Sequence, residues 1–231
     1  MNFKDGTLLY FDKPLTWTSF DLVNRIRSII TRATGEKIKV GHAGTLDPLA
    51  TGIMILATGK ATKQIEILQN GVKEYIATLK LGATTPSFDM EHPENAIFDI
   101  SHITRELIET KINEFKGEIL QIPPVYSAVK INGKRAFDYA RKGDNVELRP
   151  KPLVIDEIEI LNLDMPILEI RVVCSKGTYI RALARDIGVA LGAGAYLTAL
   201  KRTRIGNITL EQCQTIEDFK NSLDNVSANK C

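Results

Sequence analysis

Long apolar runs are missing from this 231-residue chain. No stretch reaches the roughly 18 uninterrupted apolar residues of a membrane helix, so a membrane-spanning protein is not expected. The opening MNFKDGTLLYFDKP lacks the apolar run and small-residue cleavage site of a secretory leader, which argues against export. Cysteine is scarce as well: Cys174, Cys213 and Cys231 are scattered and odd in number. That pattern excludes a disulfide framework and fits reduced thiols in the cytoplasm. Cofactor and metal signatures are also absent. Gly52 and Gly59-Lys60-Ala61 have six residues between the glycines and an alanine after the lysine, which is no phosphate-cradling loop. There is no C-x-x-C, H-E-x-x-H, G-x-S-x-G or G-x-G-x-x-G, and His42, His92 and His102 form no metal spacing. A site without cofactor or metal is what remains.

What is present is an ordinary globular composition, 44% hydrophobic and 25% charged, enough for a core that needs no disulfide or metal. Net charge is only +2, but it is unevenly placed. Residues 121–152 carry a balance of +4 and residues 171–204 a balance of +6, leaving −8 for the rest. Two basic blocks in an acidic chain fit a surface for a polyanion. They equally fit two solvated faces, and charge alone does not choose.

Along the chain, Thr18-Ser19-Phe20-Asp21 reads as a capping box, and Phe20, Val23, Ile26 and Ile30 continue at helical spacing to about Ile30. A short strand at Lys37–Val40, a loop at Gly41–Gly52, a strand at Ile53–Leu56 and a short helix over 61–68 follow. Glu74–Leu81 alternates, placing Tyr75, Ala77, Leu79 and Leu81 on one face of a strand. Thr104–Lys116 reads as an amphipathic helix closed by Gly117. Residues 121–152, with Pro123-Pro124, Asn132-Gly133, a Lys142-Gly143-Asp144 turn, Pro150 and Pro152, read as an inserted arm packed little against the core. Strands at Val154–Leu161 and Ile167–Cys174, a helix from Ile180 ended by Gly192, and a short helix from Thr215 complete the order. No repeat or low-complexity linker appears. The mixture implies α+β around a largely antiparallel sheet.

Chemistry concentrates in two stretches. Gly41-His42-Ala43-Gly44-Thr45-Leu46-Asp47-Pro48-Leu49-Ala50-Thr51-Gly52 has the composition of a shaped loop presenting one carboxylate and one imidazole. An aspartate held this way suits a nucleophile or general base. It also suits a turn in which Asp caps its own backbone, and composition leaves both open. In Gly177-Thr178-Tyr179-Ile180-Arg181, Arg181 falls in the first helical turn, where a cation opposes the helix dipole. An anion opposite it would make sense of that placement, since buried arginines are seldom unpaired. Asp47 is one such anion, and several other acids could serve.

The loop GHAGTLDPLATGIMIL resembles the signature of the bacterial tRNA pseudouridine-55 synthases, the TruB family. Lys13-Pro14 with Thr18-Ser19 is similar to that family's N-terminal K-P-x-G-x-T-S motif, although Thr16 stands at its glycine. Tyr75 in KEYIATLKLG, Asp89 in SFDMEH, IPPVYSAVKINGKRAFDYAR, GTYIRALARDIG and Leu200 in YLTALKRTRIG follow in family order, from about Tyr10 to Gly206. The resemblance implies a pseudouridine synthase-like fold: a mixed, mainly antiparallel central sheet flanked by helices, with an inserted RNA-binding arm. It places a catalytic domain over residues 1–210, the arm at about 121–152, and a short helix and tail over 211–231. The roughly 25 residues after Gly206 are too few for the further PUA-type domain that many relatives carry.

The implied activity is isomerisation of uridine to pseudouridine at position 55 in the T-loop of tRNA, with base flipping and no cofactor. Asp47 falls on the catalytic aspartate. His42, Tyr75, Tyr179, Arg181 and Leu200 would meet the nucleotide, and Lys130, Lys134, Arg135, Arg141 and Lys142 would grip phosphates of the T-arm. The plainer readings are a turn histidine for His42, a core tyrosine for Tyr75 and a core leucine for Leu200. The chain would act as a monomer in the cytoplasm, with no membrane and no metal. Rival readings are the catalytic subunit of a guide-RNA-dependent pseudouridine synthase, whose members are longer, and a non-catalytic tRNA-binding or folding protein. A small-molecule isomerase would leave the basic arm unexplained.

Overall fold

The structure is a computed structural model that describes residues 2–127, 129–131, 133–140, 142, 144 and 146–228. It divides into two compact units, residues 1–74 with 201–231 and residues 75–200. Helices flank a mostly antiparallel sheet, as the α+β reading expects. No helix among the described residues is long and apolar enough to cross a membrane.

The first unit opens with β1 (Leu8–Lys13), α1 (Ser19–Thr34), β2 (Val40–His42) and β3 (Ala50–Thr58). A 3-10 turn at Gly59–Gln64 leads through α2 (Ile65–Gln69) into β4 (Lys73–Leu81). The capping box of α1 forms as read: Thr18 Oγ1 accepts from Asp21 N and Asp21 Oδ2 accepts from Thr18 N. The helix runs a turn beyond Ile30, because its stop is Gly35, left-handed at φ 74. Its buried face is Leu22, Val23, Ile26, Ile29 and Ile30, whereas Phe20, expected in that stripe, is 64% exposed. β3 starts earlier than read and is buried along almost its whole length. It pairs antiparallel with β1, Lys13 facing Gly52, and with β2, His42 facing Leu56. The short strand placed at Lys37–Val40 lies instead at Val40–His42, where pairing with β3 decides its bounds.

The second unit takes up β4 at Tyr75, whose alternation is as read: Tyr75, Ala77, Leu79 and Leu81 are all buried. Two-residue strands β5 (Ala83–Thr84) and β6 (Ala96–Ile97) pair with each other. α3 (Arg105–Asn113) starts at its Thr104 cap and ends before Lys116, and β7 (Gly117–Gln121) follows. Within the arm, β8 (Lys130–Ile131) and β9 (Lys134–Arg135) form a small hairpin ahead of α4 (Ala136–Ala140). β10 (Lys151–Asp164) is longer than read because its first residues pair with β7. Gln121, Lys151 and Pro152 therefore belong to the sheet, and the arm proper is 122–150. β10 turns into β11 (Ile167–Cys174), then α5 (Ile180–Ala190), both as read. β12 (Ala195–Ile205), which periodicity did not reveal, closes this unit at Leu200 in the strand order β12-β4-β11-β10-β7.

From Lys201 the chain belongs to the first unit again, where β12 neighbours β3. β13 (Ile208–Thr209) pairs back on β12, and α6 (Ile216–Ala228) follows. α6 buries Phe219 completely, edge-on to Phe11 at 5.5 Å and to Phe3 at 6.1 Å, a favourable ring geometry.

Candidate active site

In the first unit, Asp47 sits partly exposed at the tip of the turn between β2 and β3. Both of its neighbours are tied down. Ser19 Oγ donates to Leu46 O and accepts from Leu46 N, each at 2.9 Å. Pro48 O accepts from Thr16 N at 2.9 Å and from Lys13 Nζ at 3.4 Å. The far end of the turn is fixed by Asp12 Oδ1, which accepts from Gly52 N at 2.9 Å.

Two buried cations complete this frame, and neither was foreseen in that role. Lys13 is fully buried and donates to Pro14 O at 2.8 Å and Trp17 O at 2.6 Å besides Pro48 O. Burial pushes its pKa down to about 8, opposed by the charges of Asp47 and then Asp12. Arg202, 2% exposed, donates through Nε and Nη2 to Ile53 O and through Nη2 to Gly44 O. It thus spans both ends of the Asp47 turn. Its backbone also lies against Gly52, where an added Cβ would come within 2.2 Å of Arg202 O; only glycine, at φ 101, fits there.

His42 lies partly buried on β2, and its Nδ1 is enclosed without a hydrogen-bond partner. Burial lowers its pKa, the Gly44 backbone works the other way, and the charge of Arg202 lowers it further. The ring is therefore largely uncharged at neutral pH. Thr16, at the motif's glycine position, adopts φ 69. The family's glycine has a physical reason, and here a β-branched residue occupies left-handed backbone.

In the second unit, Arg181 is buried in the first turn of α5, as expected. Its Nη1 donates to Ser87 O at 3.2 Å and its Nη2 to Tyr126 O at 2.9 Å. Its Nε lies 3.7 Å from Asp89 Oδ2, with both side chains buried. Within this unit the anion at Arg181 is thus Asp89, which family order alone had marked. Tyr179 is held by its backbone, which donates to Gln121 Oε1 at 2.9 Å and accepts from Gln121 Nε2 at 3.2 Å. Tyr75 is 8% exposed and Leu200 half-buried. On the arm, Lys130, Lys134, Arg135 and Lys142 are exposed, while Arg141 lies outside the described residues.

The second basic block is not the open cationic surface that its charge suggested. Arg181 and Arg202 are buried, and Arg171, Arg185, Lys201 and Arg204 are ion-paired with acids of their own units. Among the described residues no group of three His, Cys, Asp or Glu could hold a metal ion.

Two family models match the chain. That for the TruB family pseudouridylate synthase N-terminal domain covers residues 31–180, and that for the tRNA pseudouridylate synthase B C-terminal domain covers 181–229. The chain is 64% identical over 225 residues to tRNA pseudouridine synthase B of Phocaeicola vulgatus, covering 97% of this chain and 96% of that one. It is 45% identical over 221 residues to the enzyme of that name from Flavobacterium johnsoniae, covering 95% and 96%. Among solved structures, a chain of a Cbf5-Nop10-Gar1 complex is similar at 32% identity and a TM-score of 0.73. An H/ACA RNP bound to a substrate RNA containing 2′-deoxyuridine is similar at 27% and 0.72. These matches cover 96% and 99% of this chain but only 55% and 56% of those chains, so it spans just over half their length.

Proposed function

The chain belongs to the TruB family of pseudouridylate synthases, and on that premise we propose that it isomerises uridine 55 in the T-loop of tRNA to pseudouridine. The observation that carries the reading is the anchoring of Asp47: bonds at Leu46 and Pro48 fix the peptide on either side of one carboxylate. Preorganisation of this kind serves chemistry rather than a surface turn.

The reaction breaks C1′–N1, turns the freed uracil and joins C5 to C1′. The C5 hydrogen leaves as a proton and N1 gains one, so no electron or heavy atom is lost and no cofactor is called for. Asp47 starts it by attacking C1′, by attacking the base or by taking a sugar proton. The uridine must first leave its stack. Tyr75 supplies an aromatic face, His42 fills the vacated space, and Tyr179 and Leu200 line the nucleotide. Arg181, which lies against Asp89 in its own unit, meets the same nucleotide. Lys130, Lys134, Arg135, Arg141 and Lys142 take T-arm phosphates. The protein acts as a monomer in the cytoplasm.

The test uses pure protein and an unmodified tRNA transcript in EDTA, scored for pseudouridine by position. One pseudouridine at position 55, without nucleotide or guide RNA, is expected. Asp47→Asn should abolish turnover while RNA affinity stays within about tenfold, roughly 1.4 kcal/mol. Modification only when a guide RNA is added would favour the guide-dependent reading instead, which the match over 96% of a tRNA pseudouridine synthase B makes weaker.

A further inference from the structure

The segment that anchors Asp47 also carries apolar side chains for which the chemistry above has no use. Leu15 is 55% and Phe20 64% exposed, and they flank Trp17, the single tryptophan of the chain. A phenylalanine on a helix whose neighbouring apolar residues are buried would ordinarily face the core. This segment is not loose. Lys13 Nζ binds the carbonyls of Pro14 and Trp17, Thr16 is held at φ 69, and the capping box fixes Thr18. Strained backbone that is held from several sides points to a use for the shape it creates.

The segment is stitched to Asp47 from both directions. Thr16, beside Leu15, is bonded to Pro48, and Ser19, beside Phe20, is bonded to Leu46. The Leu15–Phe20 segment is thus tied beside Asp47, where the chain neighbours of a nucleotide seated there would come within its reach. A uridine turned out of its loop leaves those neighbours unstacked, and RNA recognition commonly meets unstacked bases with aromatic and apolar side chains. We propose that Leu15, Trp17 and Phe20 form a platform for a nucleobase adjacent to the target uridine. The proposal rests on the reading of Asp47 as the catalytic residue, and its partner is the substrate RNA itself.

The experiment uses the full chain and a T-arm hairpin, read by Trp17 emission and by steady-state kinetics. Titrating the hairpin into Asp47→Asn protein should quench Trp17. Phe20→Ala and Leu15→Ala should each raise KM about tenfold, or roughly 1.4 kcal/mol, with kcat within twofold. Both side chains are exposed, so the melting temperature should hold. A hairpin made abasic on either side of the target should bind wild type as weakly as Phe20→Ala binds the intact hairpin, with no further loss when the two are combined. Unchanged KM in both variants, or no change in Trp17 emission at saturating RNA, would overturn the platform. So would self-association that Phe20→Ala abolishes while RNA affinity stays, which would make the patch a contact between copies. If wild type quenches on RNA yet makes no pseudouridine, the catalytic reading fails and the platform stands.

Discussion

The Asp47 turn and the 122–150 arm look alike as strings of residues, both rich in glycine or proline, yet they are held in opposite ways. The turn takes its shape from the rest of its unit: Lys13, Thr16, Ser19 and Arg202 all reach in from other elements. The described bonds inside the arm join the arm to itself. Ala136 N donates to Val129 O, Phe137 N to Ser127 O and Tyr139 Oη to Ile131 O, and Arg135 lies over the Phe137 ring at 5.7 Å. Among the described residues, α5 grips the start of the arm, through Arg185 on Ile122 O and Arg181 on Tyr126 O. A region shaped from outside suits placing one atom accurately. A self-contained region with its cations outward suits attracting a polyanion, where strength depends on charge more than on exact position.

The largest effect is expected at Arg202. Arg202→Met removes the group spanning Gly44 and Ile53, and a displacement of Asp47 by about 1 Å would lower kcat about a hundredfold with little change in KM. Arg202→Lys should fall between, since an ammonium keeps the charge but not the planar fork. Running the assay at 15 °C as well as 37 °C separates placement from unfolding. A loss that vanishes in the cold would mean that Arg202 serves stability alone. The arm should answer differently. Reversing Lys134 and Arg135 to glutamate should raise KM about tenfold with kcat unchanged, and each lost phosphate contact should flatten log K against log salt by roughly 0.7 to 0.9. A kcat effect, or an unchanged salt slope, would erase the distinction between the two regions.

Lys13 makes the frame of the Asp47 turn sensitive to pH. Its folded pKa of about 8 lies below the ordinary 10.5, so between those values the unfolded chain binds more protons at this amine. Its contribution to stability therefore rises with pH across that window and is level below about pH 8. Unfolding curves of wild type minus Lys13→Met should trace this rise, and Asp47→Asn should move its lower edge to lower pH, because Asp47 is the largest influence holding the pKa up. The smallest effect belongs to Thr16→Gly. Left-handed backbone at a β-branched residue costs about 1–3 kcal/mol, against about 0.5–1 kcal/mol for glycine's extra freedom when unfolded. The melting temperature should rise by roughly 2–4 °C per kcal/mol gained. No rise would mean that the Thr16 side chain makes up for its backbone.

Much of the local structure was legible because its signals are local. The Thr18–Asp21 box, the alternation from Tyr75 to Leu81 and the Ile167–Cys174 strand depend on residues a few positions apart. Asp47, His42 and Arg181 stood out by family resemblance and by the composition of their stretches. What escaped was set at long range. β12 lacks clean alternation because Arg202 lies on its buried side. The role of Arg202 was not legible because the carbonyls that receive it, Gly44 and Ile53, lie about 150 positions away. Phe20 obeyed the helical period and still faces outward, since the period tells which residues share a face and not what lies opposite.

The reach of Arg202 also sets an order in time. Gly44 and the arginine that holds it are 158 positions apart. At about 5–20 residues per second of synthesis, roughly 8–30 s separate the appearance of the two. Through that interval a growing chain already contains Asp47 but not the clamp across its turn. Asp47 is among the first parts to be made and among the last to be put in place, so a nascent chain should acquire activity only when its strand β12 has emerged.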